Sequence, residues 1–121
     1  MRINIKTTNL NATPEVHQYL NKKLESLQKF FDADDESVII DVEIGLATLR
    51  HQSGEIFRAE INVHNRHGHF RSEAEKTDLY SAIDEAKDEM ALELGKKKKK
   101  YIALLRKGGQ KIKNLLRRFY H

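Results

Sequence analysis

Five consecutive lysines, Lys96 to Lys100, stand inside a helical pattern that runs from Asp78 to Lys107 with no stop signal before Gly108-Gly109. A helix over those residues is about 45 Å long, roughly twice the length of a strand in an ordinary sheet. Five successive positions point all the way round a helix, and a helix that is polar on every side cannot lie flat on a core. The pattern therefore predicts a helix that leaves its domain near Leu94 and continues as a cationic rod, with Gly95 a weak point at the junction.

The rest of the chain is charged the other way. Residues 1–94 carry 11 Lys+Arg against 18 Asp+Glu, whereas residues 95–121 carry 11 Lys+Arg and no acidic residue. A formal charge of +4 thus hides an acidic body with a basic end, and a basic end repels itself unless it meets a polyanion. Nucleic acid is the first candidate, and the plain alternative is a solvated tail. A chain of 121 residues suits one core rather than two. The absence of cysteine excludes a disulfide framework, a thiolate metal site and a cysteine nucleophile. With no continuous apolar run in the alternating N-terminus or elsewhere, a soluble cytoplasmic protein is expected.

Ile3 and Ile5 alternate with Arg2, Asn4 and Lys6, which reads as a short strand. Thr13-Pro14 opens a helix, with Thr13 as cap and Pro14 at a position that loses no hydrogen bond. Val16, Leu20, Leu24, Leu27 and Phe31 give that helix its buried stripe. Alternation then marks three strands: Val38 to Ile44, Phe57 to Val63, and Phe70 to Glu75. The last two are joined by a turn at Asn65-Arg66-His67-Gly68, and Thr48 to Glu55 forms a polar loop. Thr77-Asp78 caps the second helix, whose buried stripe is Leu79, Ile83, Ala86, Met90 and Leu94. The expected fold class is α+β, a single β-α-β-β-β-α domain over residues 1–95 with both helices on one face of a four-stranded sheet. Residues 96–121 form a basic helical extension and tail.

His64, His67 and His69 flank the hairpin turn, but no carboxylate or thiolate completes a metal set, and a polar turn is the simpler reading. Arg66 and these histidines could instead meet phosphates. No phosphate loop, nucleophile elbow or zinc-protease motif occurs, so neither catalysis nor a cofactor is expected. Asp84, Glu85, Asp88 and Glu89 read as a solvated helix face. Beyond Gly109, Ile112, Leu115, Leu116 and Phe119 share one face among basic residues, a pattern suited to an anionic membrane, a protein groove or RNA.

Two stretches are familiar. Thr13-Pro14-Glu15-Val16, followed by Lys23-Leu24, Leu27 and Lys29-Phe30, resembles the first helix of the ribosome hibernation factors, the family of ribosome-associated inhibitors and hibernation-promoting factors once called sigma-54 modulation proteins. Phe70-Arg71-Ser72-Glu73-Ala74-Glu75 leading into Asp78-Leu79-Tyr80-Ser81-Ala82-Ile83-Asp84 resembles that family's most distinctive segment. The resemblance covers about residues 1–100 and implies a fold similar to double-stranded RNA-binding domains. It also implies binding in the decoding channel of the small ribosomal subunit, against rRNA at the A and P sites. Lys22, Lys23 and Lys29 match the family's basic face on the first helix; Lys87, Lys96 and Lys100, with Lys76 just before, match it on the second. Ser26, Glu89 and Leu92 stand where relatives often carry basic residues, and Gly95 interrupts the second helix.

Together these readings lead us to expect a non-enzymatic ribosome hibernation factor, and the resemblance implies the short form of that family. Its expected rRNA contacts are Lys22, Lys23, Lys29, Lys76, Lys87, Lys96, Lys97, Lys98, Lys100, Arg106 and Lys107. Its expected partners are the small subunit, its rRNA and the intact ribosome, with no small-molecule substrate and no stable membrane association expected. Tyr80, Ile83 and Phe70 are assigned to the core. The alternatives are a generic structured-RNA-binding module and a membrane or protein adaptor acting through residues 110–121.

Overall fold

A computed structural model describes residues 1–32, 34–47, 54–66 and 68–107, without the side chains of Tyr101 and Lys107. Strand β1 (Arg2–Thr8) is followed by helix α1 (Pro14–Glu25) and a short 3-10 turn (Gln28–Phe30). Strands β2 (Ile39–Leu46), β3 (Phe57–Asn65) and β4 (Gly68–Lys76) come next, then helix α2 (Leu79–Lys107). The order is the expected β-α-β-β-β-α. Most of the polar loop expected over 48–55, His67, and the amphipathic segment 110–121 lie outside the described residues.

The sheet runs β1-β2-β3-β4, with β1 parallel to β2 and the other pairs antiparallel. A parallel pair needs a crossover, and α1 supplies it. Alternation puts Ile40, Val42, Ile44, Ala59, Ile61, Val63 and Ala74 on the face beneath the helices, where all are buried. Val16, Leu20, Leu24 and Leu27 meet them from the first helical segment, and Leu79, Ile83, Ala86, Met90 and Leu94 from α2. Phe31, expected to close the first stripe, is only half-buried, because α1 ends at Glu25 and the tighter 3-10 turn rotates the positions that follow.

Local chemistry fixes the ends. Thr13 Oγ1 accepts from the amide of Val16 at 3.3 Å with Pro14 at the first helical position, and Asp78 Oδ2 accepts from the amide of Ser81 at 2.9 Å. Asp78, not Thr77, is therefore the cap of α2. Buried Ser72 donates from Oγ to the carbonyl of Ala86 at 2.7 Å, tying β4 to the N-terminal third of α2. Where β1 passes β2, a Cβ on Gly45 would lie 2.5 Å from the carbonyl oxygen of Thr8, so only glycine permits that approach.

The opposite sheet face carries a charged lattice. Lys6, Glu43, Glu60 and Glu73 lie in one cross-strand row, and three carboxylates side by side repel unless cations separate them. Arg58 reaches Glu43, Glu60 and Glu73, while Arg71 reaches Glu60 at 2.8 Å and Glu73 at 2.7 Å. Hydrogen bonds from Arg71 first, then Asn62, hold the Glu60 carboxyl down at about 2. His64 and His69 stack with ring centroids 4.4 Å apart, beside Asp41 and Asn62 respectively. No group of three metal-ligating side chains occurs among the described residues.

Candidate nucleic-acid interface

Helix α2 continues unbroken through Gly95 for 29 residues, so that glycine does not interrupt it. A Cβ there would meet the Phe30 ring at 3.6 Å, ordinary contact, so packing at this point does not demand a glycine. Leu94 is the last α2 residue of the core, 5% exposed. One further turn stays against the body: Lys97 Nζ lies 5.0 Å from the Phe70 ring centroid, and Lys98 Nζ donates to the carbonyl of Lys29 at 3.2 Å. Beyond that, Lys99, Lys100, Ile102, Ala103 and Arg106 are exposed, and Leu104 and Leu105 half-buried. No helix among the described residues is long and apolar enough to cross a membrane.

The expected cations fall into two groups. Those over the acidic body are paired: Lys23 with Asp84 at 3.3 Å, Lys76 with Glu85 at 3.3 Å, Lys87 with Asp88 at 3.1 Å, and Lys96 with Glu93 at 3.6 Å. Lys22, Lys29, Lys98, Lys100 and Arg106 have no carboxylate partner among the described residues, and Lys107 is placed by its backbone alone. The structure thus brings Lys29, Lys97 and Lys98 together around Phe30 and Phe70, and leaves Lys76 and Lys87 elsewhere along the fold.

The acidic face expected on α2 is correspondingly less solvated. Asp84 and Glu85 are half-buried, and Asp84 holds a small network on the flank of α1. Tyr19 donates its hydroxyl proton to Asp84 in a short hydrogen bond, which pushes the phenol pKa up. The same carboxylate raises the Lys23 ammonium pKa, and Lys23 Nζ also lies 5.3 Å from the Tyr19 ring centroid. Tyr80, assigned from sequence to the core, is 38% exposed and packs edge-on against Tyr19 with centroids 4.8 Å apart. It lies about a quarter turn from the Leu79–Ile83 stripe, which rotates it out of the core. Ile83 is fully buried, and Phe70 is half-buried against the core.

Fold and surface define a class: an α+β domain with one four-stranded sheet, a charged lattice on its open face, and lysine-bearing helices covering the other. Residues 3–102 match the family described as "Sigma 54 modulation protein / S30EA ribosomal protein", and the chain belongs to that family. A ribosome hibernation promoting factor of Klebsiella oxytoca is 31% identical over 100 residues, 83% of this chain and 96% of that protein. The ribosome hibernation promotion factor of Bacillus subtilis is 28% identical over 109 residues, 90% of this chain but 54% of that longer protein. Among solved structures, the N-terminal domain of Thermus thermophilus protein Y is 35% identical with a TM-score of 0.65, over 78% of this chain and 96% of that one. A ribosomal subunit interface protein from Coxiella burnetii shares the fold, at 18% identity and a TM-score of 0.64 over 81% of this chain and 98% of that one.

Proposed function

We propose that this protein is a cytoplasmic, non-enzymatic ribosome hibernation factor that docks in the decoding channel of the small subunit and excludes mRNA and the A- and P-site tRNAs. The match of residues 3–102 to its family carries this reading. The distribution of charge supports it: a channel walled by phosphates favours a rigid body with unpaired cations along its helices. Lys22, Lys29, Lys98, Lys100 and Arg106 can meet phosphates without giving up a carboxylate among the described residues. Lys23, Lys76, Lys87 and Lys96 must exchange a carboxylate for a phosphate, which makes them weaker contributors. Silencing is then competition for one RNA surface, with the sheet and its core fixing how the helices present their charge.

Co-sedimentation with purified small subunits through a sucrose gradient tests this directly. The protein should travel with the subunit, and prior loading of mRNA with P-site tRNA should displace it. Co-sedimentation unaffected by tRNA and mRNA would place the protein elsewhere on the subunit. Pelleting with anionic vesicles and not with subunits would overturn the proposal in favour of a membrane adaptor.

A further inference from the structure

The 3-10 turn after α1, the β3–β4 end of the sheet and the last body-bound turn of α2 line a small open cleft. Its walls include Phe30, Phe31, Phe70 and Leu94. All three phenylalanines are half-buried, so aromatic surface remains in contact with solvent inside the cleft. Lysines cover the same rings: Lys29 Nζ lies over the Phe30 ring, 5.3 Å from its centroid, and Lys97 Nζ over the Phe70 ring at 5.0 Å, so a base stacking there takes the place of an ammonium that turns out toward its phosphate. Lys98, the third, is anchored to the Lys29 carbonyl.

Rings beside ammonium groups match the chemistry of single-stranded RNA, whose bases stack on aromatic faces while cations meet the phosphates. A duplex would offer this cleft only its backbone, and the rings would go unused. Acceptors complete the rim. Asp35 is occupied, taking the Ser37 amide at 2.9 Å and lying 3.5 Å from Arg66. The Asp32 carboxylate, exposed at the same rim, has no hydrogen-bond or ion-pair partner among the described residues. An ionised carboxylate only accepts, so it favours a base that presents an exocyclic amine over uracil, which has none.

We propose that this cleft takes one unstacked nucleotide of single-stranded RNA, its amino-bearing base against Phe30 and Phe70 and its phosphates toward Lys29, Lys97 and Lys98. This deepens the hibernation reading and rests on RNA being the partner: it adds one base-reading subsite to a surface that otherwise reads charge.

The test uses the full chain and fluorescently labelled heptauridylates whose central residue is adenosine, uridine or an abasic ribose, with binding followed by anisotropy. The lysine-rich rod contributes equally to all three probes, because backbone contacts ignore sequence. Adenosine should bind about tenfold tighter than the abasic probe, the scale of one stacked base, with uridine between them. Phe70→Leu should close the gap between adenosine and abasic probes while leaving the salt dependence unchanged, and Asp32→Ala should remove only the preference of adenosine over uridine. Equal binding of the adenosine and abasic probes by the unmodified protein would overturn the proposal with no variant needed. A gap that survives both Phe30→Leu and Phe70→Leu in proteins that still melt cooperatively would do the same. The two readings fail separately: co-sedimentation without a base preference removes the cleft alone, and a base preference without co-sedimentation removes the hibernation role alone.

Discussion

Two triple substitutions of equal formal charge should affect ribosome binding unequally. The first changes Lys29, Lys98 and Lys100 to Gln, removing cations that have no carboxylate partner among the described residues. The second changes Lys23, Lys76 and Lys87 to Gln, each of which lies 3.1 to 3.3 Å from a carboxylate oxygen. Each phosphate deprived of its cation flattens the log–log dependence of affinity on salt by roughly 0.7 to 0.9. The first set should therefore flatten it by about 2 to 3 units. In the second set a phosphate must displace Asp84, Glu85 or Asp88, and the carboxylate set free repels the RNA, so the flattening should stay below about 1 unit. These pairs are partly exposed, and their removal should cost no more than about 1 kcal/mol of stability each. Titrating small subunits from about 50 to 300 mM monovalent salt measures both slopes, within the range where such effects are large. Equal flattening by the two sets would show that internal pairing does not decide which cations reach RNA. No flattening by either would mean that binding lies outside the helices.

The lattice on the open sheet face makes stability depend on acid. Glu60 has its carboxyl held at about 2 against an ordinary value of 4.5, and its side chain is only 17% exposed. A depressed carboxyl stabilises the fold fully above about pH 4.5 and loses that contribution as pH falls toward 2. At about 1.4 kcal/mol per pKa unit, Glu60→Gln should cost about 3 kcal/mol at pH 7 and close to nothing near pH 2 in chemical denaturation; a cost that does not change with pH would refute the linkage. Gly45→Ala should cost on the order of 1 to 3 kcal/mol, because the added methyl would stand 2.5 Å from the Thr8 carbonyl and push β1 off β2; an unchanged melting temperature would contradict this. Ser72→Ala should cost about 1 kcal/mol by losing the bond to the Ala86 carbonyl, and unaltered hydrogen exchange around Ala86 in α2 would argue that this tie between sheet and helix is idle.

Periodicity made the scaffold legible because this sheet has one dry face: Val38, Ile40, Val42 and Ile44 are buried in strict alternation, and the α2 stripe from Leu79 to Leu94 is buried throughout. What periodicity cannot carry is partnership between distant residues. Lys23 reads as a free surface cation until the fold sets Asp84 beside it, 61 positions along the chain. Tyr80 sits next to a core residue in sequence, and an apolar-looking ring there invites assignment to the core. An aromatic a quarter turn off the stripe, followed by Ser81 and Asp84, was the available signal. Gly95 reads as a weak point, yet α2 runs through it unbroken beside the Phe30 ring, a neighbour visible only once the 3-10 turn is in place. The cleft was illegible for the same reason, since its phenylalanines and lysines come from three separate elements.

The parallel pairing of β1 with β2 sets an order of events in folding. Arg2 pairs with Ile39, so the first strand cannot be satisfied until a loop of some 36 residues has closed, whereas β2, β3 and β4 need only adjacent hairpin closures. A strand synthesised before β2, β3 and β4 is thus expected to be among the last to find its place, and until then it is an unpaired edge. On loop-closure grounds the meander with α2 laid across it is expected to form first, with β1 and α1 docking onto it afterwards. The two helices that together present the lysines are then assembled at different stages, and the full cationic surface is expected only once β1 and α1 have docked.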